Sequence, residues 1–327
     1  MAVELWLEVE SACNLSCPFC YNYWRPHGNR LDSRLSRKDL WAGFRWLRET
    51  VPVKRVVLSG GEPLLRSDLE DIAEFWSGER CPIIVTTNGT LLTYNRVHTL
   101  LEAGVTAFQI PIHSTDRAVH NALSGRDCWE GTLRALTLLA EEDVPTSGVF
   151  VATGLNVSHA ARVVGLLEVV GFNSLIFNRL VPKGVAAKNL DWLGLPSVGD
   201  LWSALRDANE VAVALGSRIV LGVPIDIEEE ERRQLPSVQF GGCPVRMGQS
   251  RWTVGVDGRI RRCNQSAASV GRIGEPASMS VLASSSDGRV ESKTGCQFLG
   301  ATPLVQLEVS NTRSRRGEQH STDQDGV

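Results

Sequence analysis

The 327-residue sequence lacks a surplus of either charge: 34 Lys and Arg stand against 37 Asp and Glu, a formal net charge of −3. A protein that grips nucleic acid through its phosphates ordinarily carries a basic surplus, so no nucleic-acid partner is expected. Also missing is any apolar run approaching the roughly 20 residues of a membrane span, and the N-terminus has no charged n-region, apolar h-region or cleavage site. No membrane association follows, and the expected location is the cytoplasm. In that reducing compartment the eight cysteines are better read as ligands and buried thiols than as a disulfide framework. From about Ser310 onward apolar residues almost vanish, so 310–327 cannot supply a core and reads as a disordered tail. No internal repeat is visible beyond an alternation of strand and helix signals.

That alternation is what the chain does have. Val3, Leu5, Leu7 and Val9 alternate with Glu4, Trp6, Glu8 and Glu10, the period of a strand with one buried face. A helix is predicted from an N-cap at Ser36, with Leu40, Trp41, Phe44 and Leu47 on one side, followed by an apolar run from Arg55 to Leu58. Further strands are predicted at 82–86, 107–112, 149–152 and 174–178, each followed by a helical pattern. Six such units with right-handed crossovers give an α/β fold with a parallel sheet, either open and doubly wound or a partly closed barrel. Nearly every polar or glycine-rich cluster falls just after a strand: Gly60-Gly61-Glu62-Pro63, Thr86-Thr87-Asn88-Gly89, His113-Ser114, 153–156 and Asn178-Arg179. Such strand ends converge on one face, where sites are built.

The segment after the first strand holds Cys13, Cys17 and Cys20 in a C-x3-C-x2-C spacing. Three thiolates leave one iron of a four-iron cluster without a protein ligand and free for a small molecule, whereas four would make an electron-transfer centre. The alternative is zinc, which usually takes four ligands and a C-x2-C knuckle. Taken with Phe19 before the last cysteine and Gly60-Gly61-Glu62-Pro63 some forty residues on, the segment resembles the radical S-adenosylmethionine (radical SAM) superfamily over roughly residues 1–215. The resemblance implies a partial (β/α)6 TIM-like barrel and a [4Fe-4S] cluster on Cys13, Cys17 and Cys20, with SAM chelating the open iron. It further implies one-electron cleavage of SAM to a 5′-deoxyadenosyl radical that abstracts hydrogen from a substrate. Gly60 and Gly61 let backbone approach the methionine moiety, Glu62 and nearby carbonyls accept from its ammonium group, Pro63 completes the turn, and Phe19 walls the cluster and adenine. Thr87, Ser114, Asn156 and Asn178 are candidates for ribose and carboxylate contacts, and Arg126 for the carboxylate.

Past residue 216 the pattern changes to a short apolar segment and an acidic run at 228–231, read as a solvated face. Arg251 to Val256 and Arg259 to Cys263 read as a hairpin turned by Asp257-Gly258. Cys243, Cys263 and the segment Val270-Gly271-Arg272-Ile273 resemble the opening of a SPASM or twitch extension, placed here at 216–309 as a small cysteine-containing hairpin unit. In that family Cys243, Cys263 and Cys296 would be auxiliary-cluster ligands; the competing reading is a metal-free hairpin with buried cysteines. The extension points to a peptide or natural-product small molecule as substrate, with an electron donor such as flavodoxin or ferredoxin. As the chain opens on strand one, a separate leader-peptide-binding protein is an expected partner for a peptide substrate. Rival readings are a glycyl-radical-enzyme activase, whose ferredoxin-like C-x2-C spacings are missing here, and a non-catalytic cluster-containing binding protein. His113, Cys81, Cys128 and the tryptophans at helical spacing are assigned to packing.

Overall fold

Alternation along the first strand sets the two sides of the sheet. In the computed structural model, which describes residues 2–25, 35–225, 227–241 and 251–284, β1 (Val3–Glu10) buries Val3, Leu5, Leu7 and Val9 in the main core. Its glutamates and Trp6 face the other side, where Glu4 pairs with Arg251 at 2.8 Å and Arg55 at 3.4 Å. The strand-helix series then runs α1 (Arg37–Thr50), β2 (Val53–Gly60), α2 (Leu69–Ser77), β3 (Ile83–Thr86), α3 (Tyr94–Glu102), β4 (Ala107–Pro111), α4 (Arg117–Ser124) and α5 (Trp129–Glu141). It continues with β5 (Thr146–Ala152), α6 (Ala160–Val170), β6 (Ser174–Arg179), α7 (Leu190–Leu193), α8 (Val198–Leu215), β7 (Arg218–Leu221), α9 (Glu229–Arg232) and β8 (Val238–Gln239). The C-terminal segment adds β9 (Arg251–Val254), β10 (Arg259–Arg261), β11 (Gly271–Arg272) and α10 (Pro276–Ser284).

Strands β1 to β8 lie side by side in chain order, every pairing parallel, and β9 pairs parallel to the free side of β1, with β10 and β11 antiparallel beyond it. The sheet is therefore the α/β parallel arrangement predicted, and it is not closed. After the six strands read from sequence, the parallel series continues through β7 and β8. With four and two residues, β7 and β8 are too short to carry a periodic signal. The Asp257-Gly258 turn and its hairpin are where the sequence placed them, with Gly258 at φ 78°. Among the described residues no helix is long and apolar enough to cross a membrane.

Helix α1 starts where Ser36 accepts from the Asp39 amide at 3.1 Å and buries Leu40, Phe44 and Leu47. Trp41, Phe44, Phe75 and Trp76 meet edge-on or stacked with ring centroids 5.2–6.2 Å apart, locking α1 to α2. Burying side chains of this size stabilises by about 1.5–3 kcal/mol each against leaving them in water. Trp192 departs from the core assignment of the tryptophans: it is 50 % exposed on the short helix α7. The acidic run 228–231 forms the exposed start of α9, closed by a reciprocal cap between Glu228 and Glu231.

Candidate active site

Immediately after β1 the chain is bent by Glu10, whose Oε1 accepts from the amides of Ser11 and Ala12 at 2.8 and 2.9 Å. The loop that follows carries Cys13, Cys17 and Cys20, all partly exposed and unbridged. A turn from the Cys20 amide to the Cys17 carbonyl (3.2 Å) draws two of them together. The loop is then tied to the ends of four other elements. Asn14 donates to Thr90 Oγ1 and accepts from Asn88 Nδ2, both at 2.8 Å, joining it to the turn after β3. Ser16 donates to the Ser124 carbonyl at the end of α4, where Gly125 (φ 70°) lies so close to the Ser16 backbone that no side chain fits. Asn22 donates to the Gly60 carbonyl at 2.9 Å, and the amides of Val185 and Ala186, in the segment after β6, donate to the Cys20 carbonyl.

The turn after β2 docks on this loop backbone to backbone. Gly61 donates to the Glu10 carbonyl at 2.6 Å and Glu62 to that of Ala12 at 2.8 Å. A Cβ at Gly60 or Gly61 would run into the Glu10 or Ala12 backbone, so the cysteine loop itself demands glycine here, whatever else approaches. Glu62 is 1 % exposed; Oε1 accepts from the Leu64 amide and Thr87 Oγ1, and Oε2 from the Asn88 amide at 2.8 Å. Burial pushes its pKa up, opposed by the bonds from Thr87, Asn88 and Leu64. Pro63, buried, opens the short 3-10 turn that follows. Glu62 and Thr87 thus fasten the second and third strand ends together, a buttressing role beneath the ligand contacts expected of them.

A second group gathers at the ends of β4 and β5. Asn156 is fully buried and donates to the carbonyls of His113 and Val151 while accepting from Thr153 through both amide and hydroxyl. Ser114, also fully buried, contacts His159 Nδ1 at 2.7 Å and accepts from the Asp116 amide. His113 accepts at Nδ1 from the Val151 amide and meets the Phe19 ring edge-on at 4.6 Å, so it is packed as expected. Burial, and then His120, hold its pKa well below the usual histidine value. Phe19 rests on Leu123, Leu180, Ala186 and Leu193. Asn178 sits at the end of β6 on the face opposite Phe177, facing Gly222 where a Cβ would collide with its amide oxygen. Arg126 lies exposed on the turn between α4 and α5, away from these bonds. Cys81 and Cys128 are buried.

Burial raises the pKa of Cys13, and burial followed by the neighbouring Cys20 and Cys13 raises that of Cys17 further. Among the described residues no three His, Cys, Asp or Glu side chains group tightly enough for one metal ion. A cubane presents a separate iron to each thiolate and deprotonates it outright, so three unbridged thiols on one loop fit that group. Arg25, unmarked in the sequence because it lies in an aperiodic stretch, reaches back to Cys20 Sγ at 3.8 Å. Also missed were Asn14 and a buried pair between Glu8 and Arg261. Tyr21 accepts from Asn264 at 3.0 Å, which brings the end of the β9–β10 hairpin beside the cysteine loop. Cys263, next to Asn264, accepts at Sγ from the Gln265 amide at 3.4 Å. Cys243 and Cys296 lie outside the described residues.

Residues 8–167 match the family model described as the Radical SAM superfamily. The matched segment is a radical SAM domain. Similar curated proteins include the AdoMet-dependent heme synthase of Methanosarcina barkeri, 26 % identical over 54 % of this chain and 50 % of its own length. A probable GTP 3',8-cyclase of Metallosphaera sedula is 31 % identical over 56 % of this chain and 57 % of its own. The chain thus spans about half the length of the curated relatives it matches. Among solved structures, Streptococcus suis SuiB bound to precursor peptide SuiA aligns with a TM-score of 0.65 at 15 % identity, over 86 % of this chain and 64 % of that one. Native anSMEcpe with bound AdoMet and Cp18Cys peptide aligns at 0.61 and 17 %, over 91 % and 87 %. At these identities the likeness is one of fold.

Proposed function

We propose that this protein is a radical SAM enzyme acting on a peptide or a natural-product intermediate, with Cys13, Cys17 and Cys20 as ligands of a [4Fe-4S] cluster. The carrying observation is the cysteine loop, whose three thiols share one segment bonded to the ends of β2, β3, α4 and β6. Bound cluster and SAM would supply the one-electron cleavage that generates a 5′-deoxyadenosyl radical for hydrogen abstraction. The chain's own residues hold the site for it. Asn14, Asn22 and the Gly60–Pro63 turn fix the loop, Glu62 and Thr87 brace that turn, and Phe19 with His113 forms an apolar wall on its far side. Asn178, at the end of β6 on the face opposite Phe177, is the candidate side chain for a polar contact with bound SAM.

A peptide substrate is favoured by two fold neighbours having been solved with peptides, and by the hairpin that continues the sheet beside β1. We read 1–215 as the barrel, 216–309 as a SPASM- or twitch-like extension with Cys243, Cys263 and Cys296 as auxiliary ligands, and 310–327 as a tail. A flavodoxin or ferredoxin would deliver the electron, and a separate protein would present the leader of a peptide substrate. The test is 5′-deoxyadenosine release from SAM plus dithionite by anaerobically reconstituted protein beside its Cys13→Ala/Cys17→Ala/Cys20→Ala variant. Release by the first and none by the second is expected; release by both, or by neither, refutes the proposal. About four irons retained by the triple variant would support the auxiliary cluster, and no retained iron would make Cys263 structural.

A further inference from the structure

Arg25 closes the cysteine loop from the side of its last thiol. It is 8 % exposed, and the turn that carries it is pinned by its own amide, which donates to the Asn22 carbonyl at 3.2 Å. Two bonds of the guanidinium reach the cysteine loop. Nη2 donates to the Leu15 carbonyl at 2.6 Å, between the first and second cysteines, and Nη1 to Cys20 Sγ at 3.8 Å. A guanidinium stays charged, and its rigid fork can serve two acceptors at once. A metal-bound thiolate is a stronger acceptor for a guanidinium than a neutral thiol.

We infer that Arg25 sets the reduction potential of the cluster bound by Cys13, Cys17 and Cys20. Reduction adds a negative charge that spreads over the cluster and its sulfur ligands. A hydrogen bond and a positive charge at one of those sulfurs stabilise the reduced state more than the oxidised state, and the potential rises. The second bond, to Leu15, aims the first: with Nη2 anchored on the loop, Nη1 has little freedom to leave the sulfur. Lysine would keep the charge but could not span both acceptors. Arg25 is thus a tuning residue that acts through a ligand of the cluster.

The inference rests on the cluster assignment, and its test separates the two. Wild type, Arg25→Gln and Arg25→Lys would be reconstituted anaerobically, analysed for iron and sulfide, and titrated with EPR readout of the reduced cluster. At full iron content, Arg25→Gln is expected to show a ratio of reduced to oxidised cluster at least about tenfold lower at fixed poise, which is about 59 mV for one electron. Arg25→Lys should fall between it and wild type. Equal potentials in all three proteins would overturn the inference, as would loss of iron from both variants, which would make Arg25 a structural tether. Wild type that takes up no iron would instead remove the cluster assignment beneath it.

Discussion

Two buried side chains carry the energetics of the site at the scale of single residues. Glu62 accepts from three protein donors at a position 1 % exposed. Glu62→Gln keeps the shape but turns an NH2 group toward groups that donate, leaving at least one donor unsatisfied. The expected cost is about 1–3 kcal/mol, read from the urea midpoint, together with weaker iron retention. His120 accepts at Nδ1 from the His113 amide, and burial lowers its pKa to about 4. In the unfolded chain it binds a proton near its ordinary value, so the unfolded state holds more protons between those limits. Its contribution to stability is therefore full above about pH 6.5 and is lost as pH falls toward 4, about 3 kcal/mol in all. His120→Asn keeps an acceptor for the His113 amide and should flatten the fall of the urea midpoint between pH 7 and 5; an unchanged slope would contradict this account.

Between elements, a buried ion pair joins β1 to the hairpin. Arg261 is fully buried; its Nη2 pairs with Glu8, and its Nη1 donates to the carbonyls of Asn264 and Ser266 at 3.2 and 3.0 Å. Burial raises the Glu8 pKa against the opposing pull of Arg261. Arg261→Met strands the carboxylate and should destabilise by roughly 3–5 kcal/mol, while Glu8→Leu added to it should recover most of that loss in a double-mutant cycle. An additive double variant would mean that the two charges do not act as a pair. Such links explain what the sequence made legible. The alternation in β1, the Ser36 cap and the polar clusters after each strand are local patterns, and they located the cysteine loop, the Gly60–Pro63 turn and the parallel sheet. Neither Glu8–Arg261, 253 positions apart, nor Asn14–Thr90, 76 apart, leaves a local trace. The buttressing roles of Thr87, Ser114 and Asn156 were hidden for the same reason. A polar residue at a strand mouth looks alike in sequence whether it faces a ligand or a neighbouring loop.

At the scale of the whole molecule, parallel pairing brings the ends of successive strands to one rim, and the cysteine loop sits on it with the turns after β2 and β3 bonded to its flanks. The parallel pairing of β9 with β1 extends that sheet and carries the β9–β10 hairpin, through Asn264, to Tyr21, the residue after Cys20. On the proposed reading, the three thiols of this loop would hold three corners of a cluster and leave the fourth open to a small molecule. The measurement that tests this most directly is the EPR spectrum of the anaerobically reconstituted, dithionite-reduced Cys263→Ala variant, recorded with and without SAM. A ligand binding at the open iron alters the electronic environment of the cluster, so the account predicts a reduced [4Fe-4S] signal whose shape changes when SAM is added. An unchanged signal, or no cluster signal while Cys13, Cys17 and Cys20 are intact, would contradict it.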